Sequence, residues 1–139
     1  MKQFLSWEGR MNRASFFKNS LLVFMMWIAG GLIFLMGDLA KTNMGRGAGI
    51  FIGMIGLSIL ICTLLRNMAI TSRRLHDLNL SGMLVLPYFV VSGLAGKIEG
   101  LWVIGLLATL ALLLLPGNKA ANQYGDVPGK VENDIGNEG

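Results

Sequence analysis

Four stretches of this chain carry no charged side chain: residues 20–37, 48–65, 83–96 and 101–115. No other feature constrains the fold as strongly. An eighteen-residue run such as 20–37, wound as an α-helix, is about 27 Å long, close to the thickness of a bilayer's hydrocarbon core. With 53% hydrophobic against 14% charged residues and a mean hydropathy of +0.58, the 139-residue chain is too apolar for a soluble domain of its size. The expectation is an all-α membrane protein, with four transmembrane helices in a bundle preceded by a short interfacial amino-terminal segment. The spans are placed at about 20–37, 48–65, 80–96 and 101–115, within a single domain over residues 1–116. The first run begins only after about twenty residues and closes on Leu-Met-Gly-Asp, without a small-x-small cleavage pattern, so it reads as a permanent span.

The third and fourth runs admit two readings. They either cross the membrane as two helices joined by the Lys-Ile-Glu-Gly turn at 97–100, or they form a re-entrant pair. Pro87 falls in the first turn or two of the third run, where a missing N–H costs least, and this favours two crossings.

Charge then sets the threading. Four spans group the amino-terminal segment, the middle loop and the tail on one side, with four, three and two Lys or Arg residues. The two opposite loops carry two and one. The positive-inside bias puts both termini and the middle loop on the cytoplasmic side. Residues 117–139 are read as a cytoplasmic tail, with the last dozen residues expected to be disordered because they are polar and rich in glycine and asparagine.

Residues 1–19 mix Lys2, Arg10, Arg13 and Lys18 with Phe4, Trp7, Phe16 and Phe17, a composition suited to headgroup depth, and Asn12 offers a helix N-cap. Gly45, Gly49, Gly53 and Gly56 recur near the start of the second run, where small residues let a second helix approach. Packing within the chain and a homodimer seam both fit that stripe. The second helix is expected to continue past Arg66 as far as the Arg73–Asp77 region.

The middle loop, Thr-Ser-Arg-Arg-Leu-His-Asp-Leu-Asn-Leu-Ser-Gly at 71–82, is where arginines, an acid and the single histidine, His76, stand together. Asp77 follows Arg73 by one helical turn and is expected to pair with it, while Arg73 and Arg74 face anionic headgroups. Asn79 tolerates a left-handed turn and Ser81 can cap the next helix, which makes the segment an elbow. His76 and Asp77 form the one acid–base candidate, but adjacent helical residues do not face each other and no nucleophile sits at a recognisable spacing. No catalytic residue is assigned. One histidine and one acid fall short of a metal site, and no cofactor is expected. Cys62 lies in an apolar run with no second cysteine to pair with, and reads as a small buried hydrophobe. Ser58, Thr63, Ser92 and Thr109 are expected to bond back to their own helices.

Three motifs give the chain a resemblance to a known family: Gly-Arg-Met-Asn-Arg-Ala-Ser-Phe-Phe at 9–17, Arg-Arg-Leu-His-Asp-Leu-Asn-Leu-Ser-Gly at 73–82, and Asn-Gln-Tyr-Gly-Asp-Val-Pro at 122–128. Along nearly its whole length it resembles the bacterial inner-membrane family called domain of unknown function 805. The resemblance implies a small polytopic membrane protein without an established activity. It carries Gly9, Arg10, Arg13 and Phe16, then Arg73, Arg74, Leu75, His76, Asp77, Ser81 and Gly82, then Asn122, Tyr124 and Gly125. Asn79 stands where the family usually has glycine and Met83 where it usually has tryptophan. Asp126 follows Gly125 directly, and Val127 occupies the place before Pro128 where an acid is usual.

All three motifs fall on the cytoplasmic side by charge count. They are expected to converge into one polar cluster of Arg10, Arg13, Arg73, Arg74, His76, Asp77 and Tyr124, with Asn122 and Asp126 at its edge. Functionally, the expectation is a non-enzymatic membrane protein whose cluster binds anionic lipid or a protein partner, with homo-oligomers possible and nucleic acid excluded. A subunit of a small oligomeric transporter or channel is the alternative, and an enzyme acting on lipid headgroups stands third.

Overall fold

The computed structural model describes residues 7–94 and 97–128. The disorder expected for the last dozen residues, and the first six residues of the interfacial segment, lie outside the described residues. The described chain is helical, with no strand beyond an isolated bridge between Asn122 and Gly125. Its helices are α1 (Arg13–Asn43), α2 (Arg46–Asp77), α3 (Val85–Leu94) and α4 (Leu101–Leu114), with a 3₁₀ turn at Gly82–Leu84 leading into α3.

At 31 and 32 residues, α1 and α2 are long and apolar enough to cross a membrane. Both outrun their uncharged stretches. Helix α1 starts at its expected cap, where the Asn12 side-chain oxygen accepts the Ser15 N–H at 2.8 Å. Helix α2 runs past Arg66 to Asp77, as the unbroken sequence leads one to expect. Helices α3 and α4 are shorter than the apolar runs that contain them, with 10 and 14 residues, or about 15 and 21 Å of rise. Pro87 sits in the first turn of α3, where its missing N–H has no intrahelical partner to lose.

The chain divides into two compact units. Lys18–Asn67 forms one, an antiparallel pairing of α1 with α2 through glycines. A methyl group on Gly37 would stand 2.6 Å from the Gly53 nitrogen and 2.9 Å from the Gly49 carbonyl oxygen. On Gly49 it would meet the Lys41 nitrogen at 2.6 Å, and on Gly56 it would strike the Phe34 backbone. Here backbone touches backbone, contact that only glycine permits.

The expected stripe is therefore only partly the seam. Gly49 and Gly56 lie in it, and Gly53 offers its backbone to Gly37, although a methyl on Gly53 itself would meet nothing. Gly45 is not a packing residue. It sits in the turn between helices at φ +95°, a left-handed conformation that turns the chain back. The same unit holds the Arg66–Asn19 contact at 2.5 Å, and the hydroxyls of Ser58 and Thr63 bond back to Met54 and Ile59. Cys62 is exposed on α2, a correction to its expected burial, because the packing face of this stretch is carried by glycines and Thr63.

The other unit comprises Met1–Phe17 and Met68–Gly139. In it α3 and α4 run antiparallel, tied by the Tyr88 and Thr109 hydroxyls at 3.0 Å, while Thr109 also bonds back to Gly105. Many of their large apolar side chains, among them Leu86, Trp102, Ile104 and Leu107, are exposed. This unit contains the end of α2, the elbow, and the segments flanking the first and last helices.

A buried ion triad at the end of α2

The elbow is built as its sequence implies. Beyond Asp77 the chain closes α2 with the Leu80 N–H on the Leu75 carbonyl at 2.9 Å and the Asn79 N–H on the His76 carbonyl at 3.0 Å. This paired closure needs one left-handed residue, and Asn79 supplies it at φ 59°. Ser81 then caps the 3₁₀ turn by accepting the Met83 N–H. Gly82 leaves room for two side chains, since a methyl there would lie 2.6 Å from His76 Nε2 and against the Ser72 hydroxyl, and one of them would have to shift.

Asp77 is the centre of the site, although its side chain is only 3% exposed. Its Oδ1 accepts from Arg10 Nε and Nη2 at 3.1 and 3.0 Å, and its Oδ2 accepts from Arg74 Nη1 at 2.6 Å. One carboxylate thus joins two buried guanidiniums. A buried charge is tolerable only when its remaining hydrogen-bonding capacity is met, and here it is. Arg10 spends its other N–H groups on the carbonyls of Asn118 at 2.5 Å, Ala120 at 2.7 Å and Gly125 at 3.3 Å, so all five donors are used. Arg74 gives Nε to Leu112 at 2.7 Å, Nη1 also to Met11 at 3.4 Å, and Nη2 to Leu115. Leu112 and Leu115 lie at the end of α4, where carbonyls have no partner within the helix, so Arg74 serves as the side-chain cap of that helix.

His76 faces elsewhere. Its Nδ1 lies 3.1 Å from the Gly9 carbonyl oxygen, which can only accept, so Nδ1 carries the proton. The imidazole stacks on Tyr124 with centroids 3.9 Å apart and planes within 6°. Tyr124 is presented by a tight turn in which Asn122 and Gly125 exchange both backbone hydrogen bonds, with Gly125 at φ +123°. Asn122 also donates to the His76 carbonyl at 2.9 Å, and Asn118 donates its N–H to the Asp77 carbonyl at 2.8 Å.

The structure therefore brings Arg10, Arg74, His76, Asp77, Asn122 and Tyr124 together and leaves three candidates outside the hydrogen-bonded knot. Arg13 is exposed at its rim. Asp126 is exposed and has no ion pair with the triad among the described residues. Arg73 contributes through its backbone, its carbonyl accepting the Met11 N–H at 3.1 Å, while its Nε has no hydrogen-bond partner among the described residues. The expected Arg73–Asp77 pair is corrected to Arg74–Asp77, three residues apart instead of four, because Arg74 is on the face of α2 that meets residue 11 and the end of α4. Arg74 is also fully buried, so its expected role facing headgroups is withdrawn. Residues 112, 115, 118 and 120 act through main-chain carbonyls, which no side-chain pattern announces. Among the described residues no group of three metal-ligating side chains occurs.

Fold and site together define an all-helical chain with two candidate membrane-crossing helices and a buried arginine–aspartate–arginine triad tying its segments at one end. The chain belongs to the family described as Protein of unknown function (DUF805), which matches residues 4–126, nearly its whole length. No curated protein and no solved structure matches it.

Proposed function

We propose that this chain is a multi-pass protein of a bacterial cytoplasmic membrane whose triad-bearing face is cytoplasmic and engages anionic lipid headgroups without catalysis. The observation that carries this reading is how fully the triad is bonded. Two arginines around one aspartate leave one net positive charge, buried, with all five N–H groups of Arg10 and four of the five of Arg74 given to oxygens, so the triad sets a positive potential without itself being a ligand site. Headgroup contact then falls to cations outside the knot, led by Arg13 and Lys119, each able to contribute on the order of 1 kcal/mol near an anionic surface. The absence of catalysis is supported by Asp77 facing two arginines, not His76, while His76 Nδ1 is occupied by a main-chain carbonyl.

In this reading α3 and α4 are two further crossings, giving four in all. At about 21 Å, α4 is shorter than an ordinary hydrocarbon core, so the bilayer thins around the pair or flanking residues complete the distance. Single cysteines in place of Thr42 and Lys97, in a chain with Cys62 replaced by serine, test this with a membrane-impermeant maleimide. Labelling of both positions from outside the cell is expected. Protection of the position at 97 would turn the pair into a re-entrant hairpin.

For the lipid reading, the purified chain in mild detergent is expected to carry phosphatidylglycerol or cardiolipin enriched over their share of the source membrane. Lipid carried at the membrane's own proportions would overturn it.

A further inference from the structure

Beside the triad is a cleft of about 220 Å³, lined by Arg13, Lys119, Asn12, Asn118 and Asp77 together with a glycine, two prolines and a valine. The cleft is smaller than the about 300–1,000 Å³ of a whole small-molecule site. A single charged group fits.

The sign of that group is set by the lining. Asp77 is the one acid there, and both its oxygens are already turned to Arg10 and Arg74. Arg13 and Lys119 have no ion-pair partner among the described residues, and Asn12 and Arg13 form the positive end of the 31-residue α1. The cleft thus presents two uncompensated cations, over a buried core that is itself net positive, at a helix end that favours anions. Two cations match the two charges of a phosphomonoester, and a guanidinium with an ammonium supplies a planar fork and a point charge for its oxygens.

We infer that this cleft binds one phosphomonoester or inorganic phosphate group through Arg13 and Lys119. The inference deepens the anionic-lipid reading and rests on it for the expectation that the group can arrive on a lipid, one with a terminal phosphomonoester such as phosphatidic acid, unlike the diester phosphates of phosphatidylglycerol and cardiolipin. It differs in demanding a discrete, saturable site.

The test uses the full chain in a non-ionic detergent, titrated calorimetrically with inorganic phosphate and, separately, with dihexanoyl phosphatidic acid, with dihexanoyl phosphatidylcholine as the control. Saturable binding is expected for at least one phosphate probe and not for the control, weakened about tenfold or more in both R13Q and K119Q, as loss of a charge-assisted hydrogen bond implies. Both cations are exposed at the cleft, so the variants are expected to melt with the parent chain. Binding of phosphatidic acid alone assigns the site to a headgroup. Binding of inorganic phosphate alone assigns it to a soluble phosphate, and binding of both supports the shared chemistry. No saturable binding of either probe, or unchanged affinity in either variant, overturns the site. That result leaves the enrichment of phosphatidylglycerol or cardiolipin to be judged by its own measurement.

Discussion

Arg10 and Asp77 stand 67 positions apart in the chain, yet the arginine reaches one carboxylate oxygen with two of its nitrogens, at 3.1 and 3.0 Å. The other oxygen is held by Arg74 from within the same helix. Such an arrangement is tightly coupled: removing Asp77 leaves two buried guanidiniums without a counter-ion, and removing either arginine leaves one carboxylate oxygen and several carbonyls without their donor.

Replacing Asp77 by asparagine is therefore expected to cost about 3–5 kcal/mol, and replacing Arg10 by glutamine about 1–3 kcal/mol, as the carboxylate and the carbonyls of residues 118, 120 and 125 lose their donors. Their combination should cost clearly less than the sum, with a coupling of at least about 1 kcal/mol. Equilibrium unfolding in mixed micelles, read for the two single variants and the double variant, checks this. Simple additivity would mean that the pair contributes nothing as a pair.

For Arg74 the sharper test keeps the charge. Lysine at this position retains a cation for Asp77, but its compact ammonium cannot reproduce a fork aimed at Leu112, Leu115, Met11 and Asp77 together. The change R74K is expected to destabilise by about 2 kcal/mol or more, as carbonyls at the end of α4 lose their donor. Hydrogen exchange in the last turn of α4 should rise with it. A lysine variant as stable as the parent would show that charge alone suffices.

The glycine seam offers an internal control. A methyl on Gly37 meets the Gly53 nitrogen at 2.6 Å and its Cα at 2.7 Å, and backbone atoms cannot step aside as a flexible side chain can. G37A should therefore cost about 1–3 kcal/mol. G53A, one helix across, meets nothing within 4 Å and should be neutral or stabilising by up to about 1 kcal/mol through helix propensity. Thermal unfolding in detergent separates the two outcomes, and equal effects from both substitutions would remove the seam.

How far the sequence foretold this arrangement differs from residue to residue. Asn12, Asn79 and Ser81 act locally, through their own or nearby backbone groups, and their roles could be read from position alone. The extension of α2 to Asp77 was equally legible, since nothing between Arg66 and Asp77 interrupts a helix. The partner of Asp77 was not, because spacings of three and four residues both reach the same helix face. What separates Arg74 from Arg73 is a neighbouring segment far away in sequence. Gly37 escaped notice for a similar reason: in α1 by itself it marks nothing, and it reveals a seam only when Gly49 and Gly53 stand opposite. The start of α3 at Val85, behind a 3₁₀ turn at Gly82–Leu84, was also hidden, because hydropathy reports what lipid tolerates and not where α-helical hydrogen bonding begins.

Three carbonyls from residues 118, 120 and 125 complete the coordination of Arg10, which enters the chain more than a hundred residues earlier. Synthesis runs from the amino terminus, so Arg10 must remain near water while α1 to α4 are made. Only when the stretch after α4 emerges can its guanidinium be enclosed at tolerable cost. The closing step thus belongs to the last part of the knot to be translated, and until then the amino-terminal segment has no saturated site to occupy.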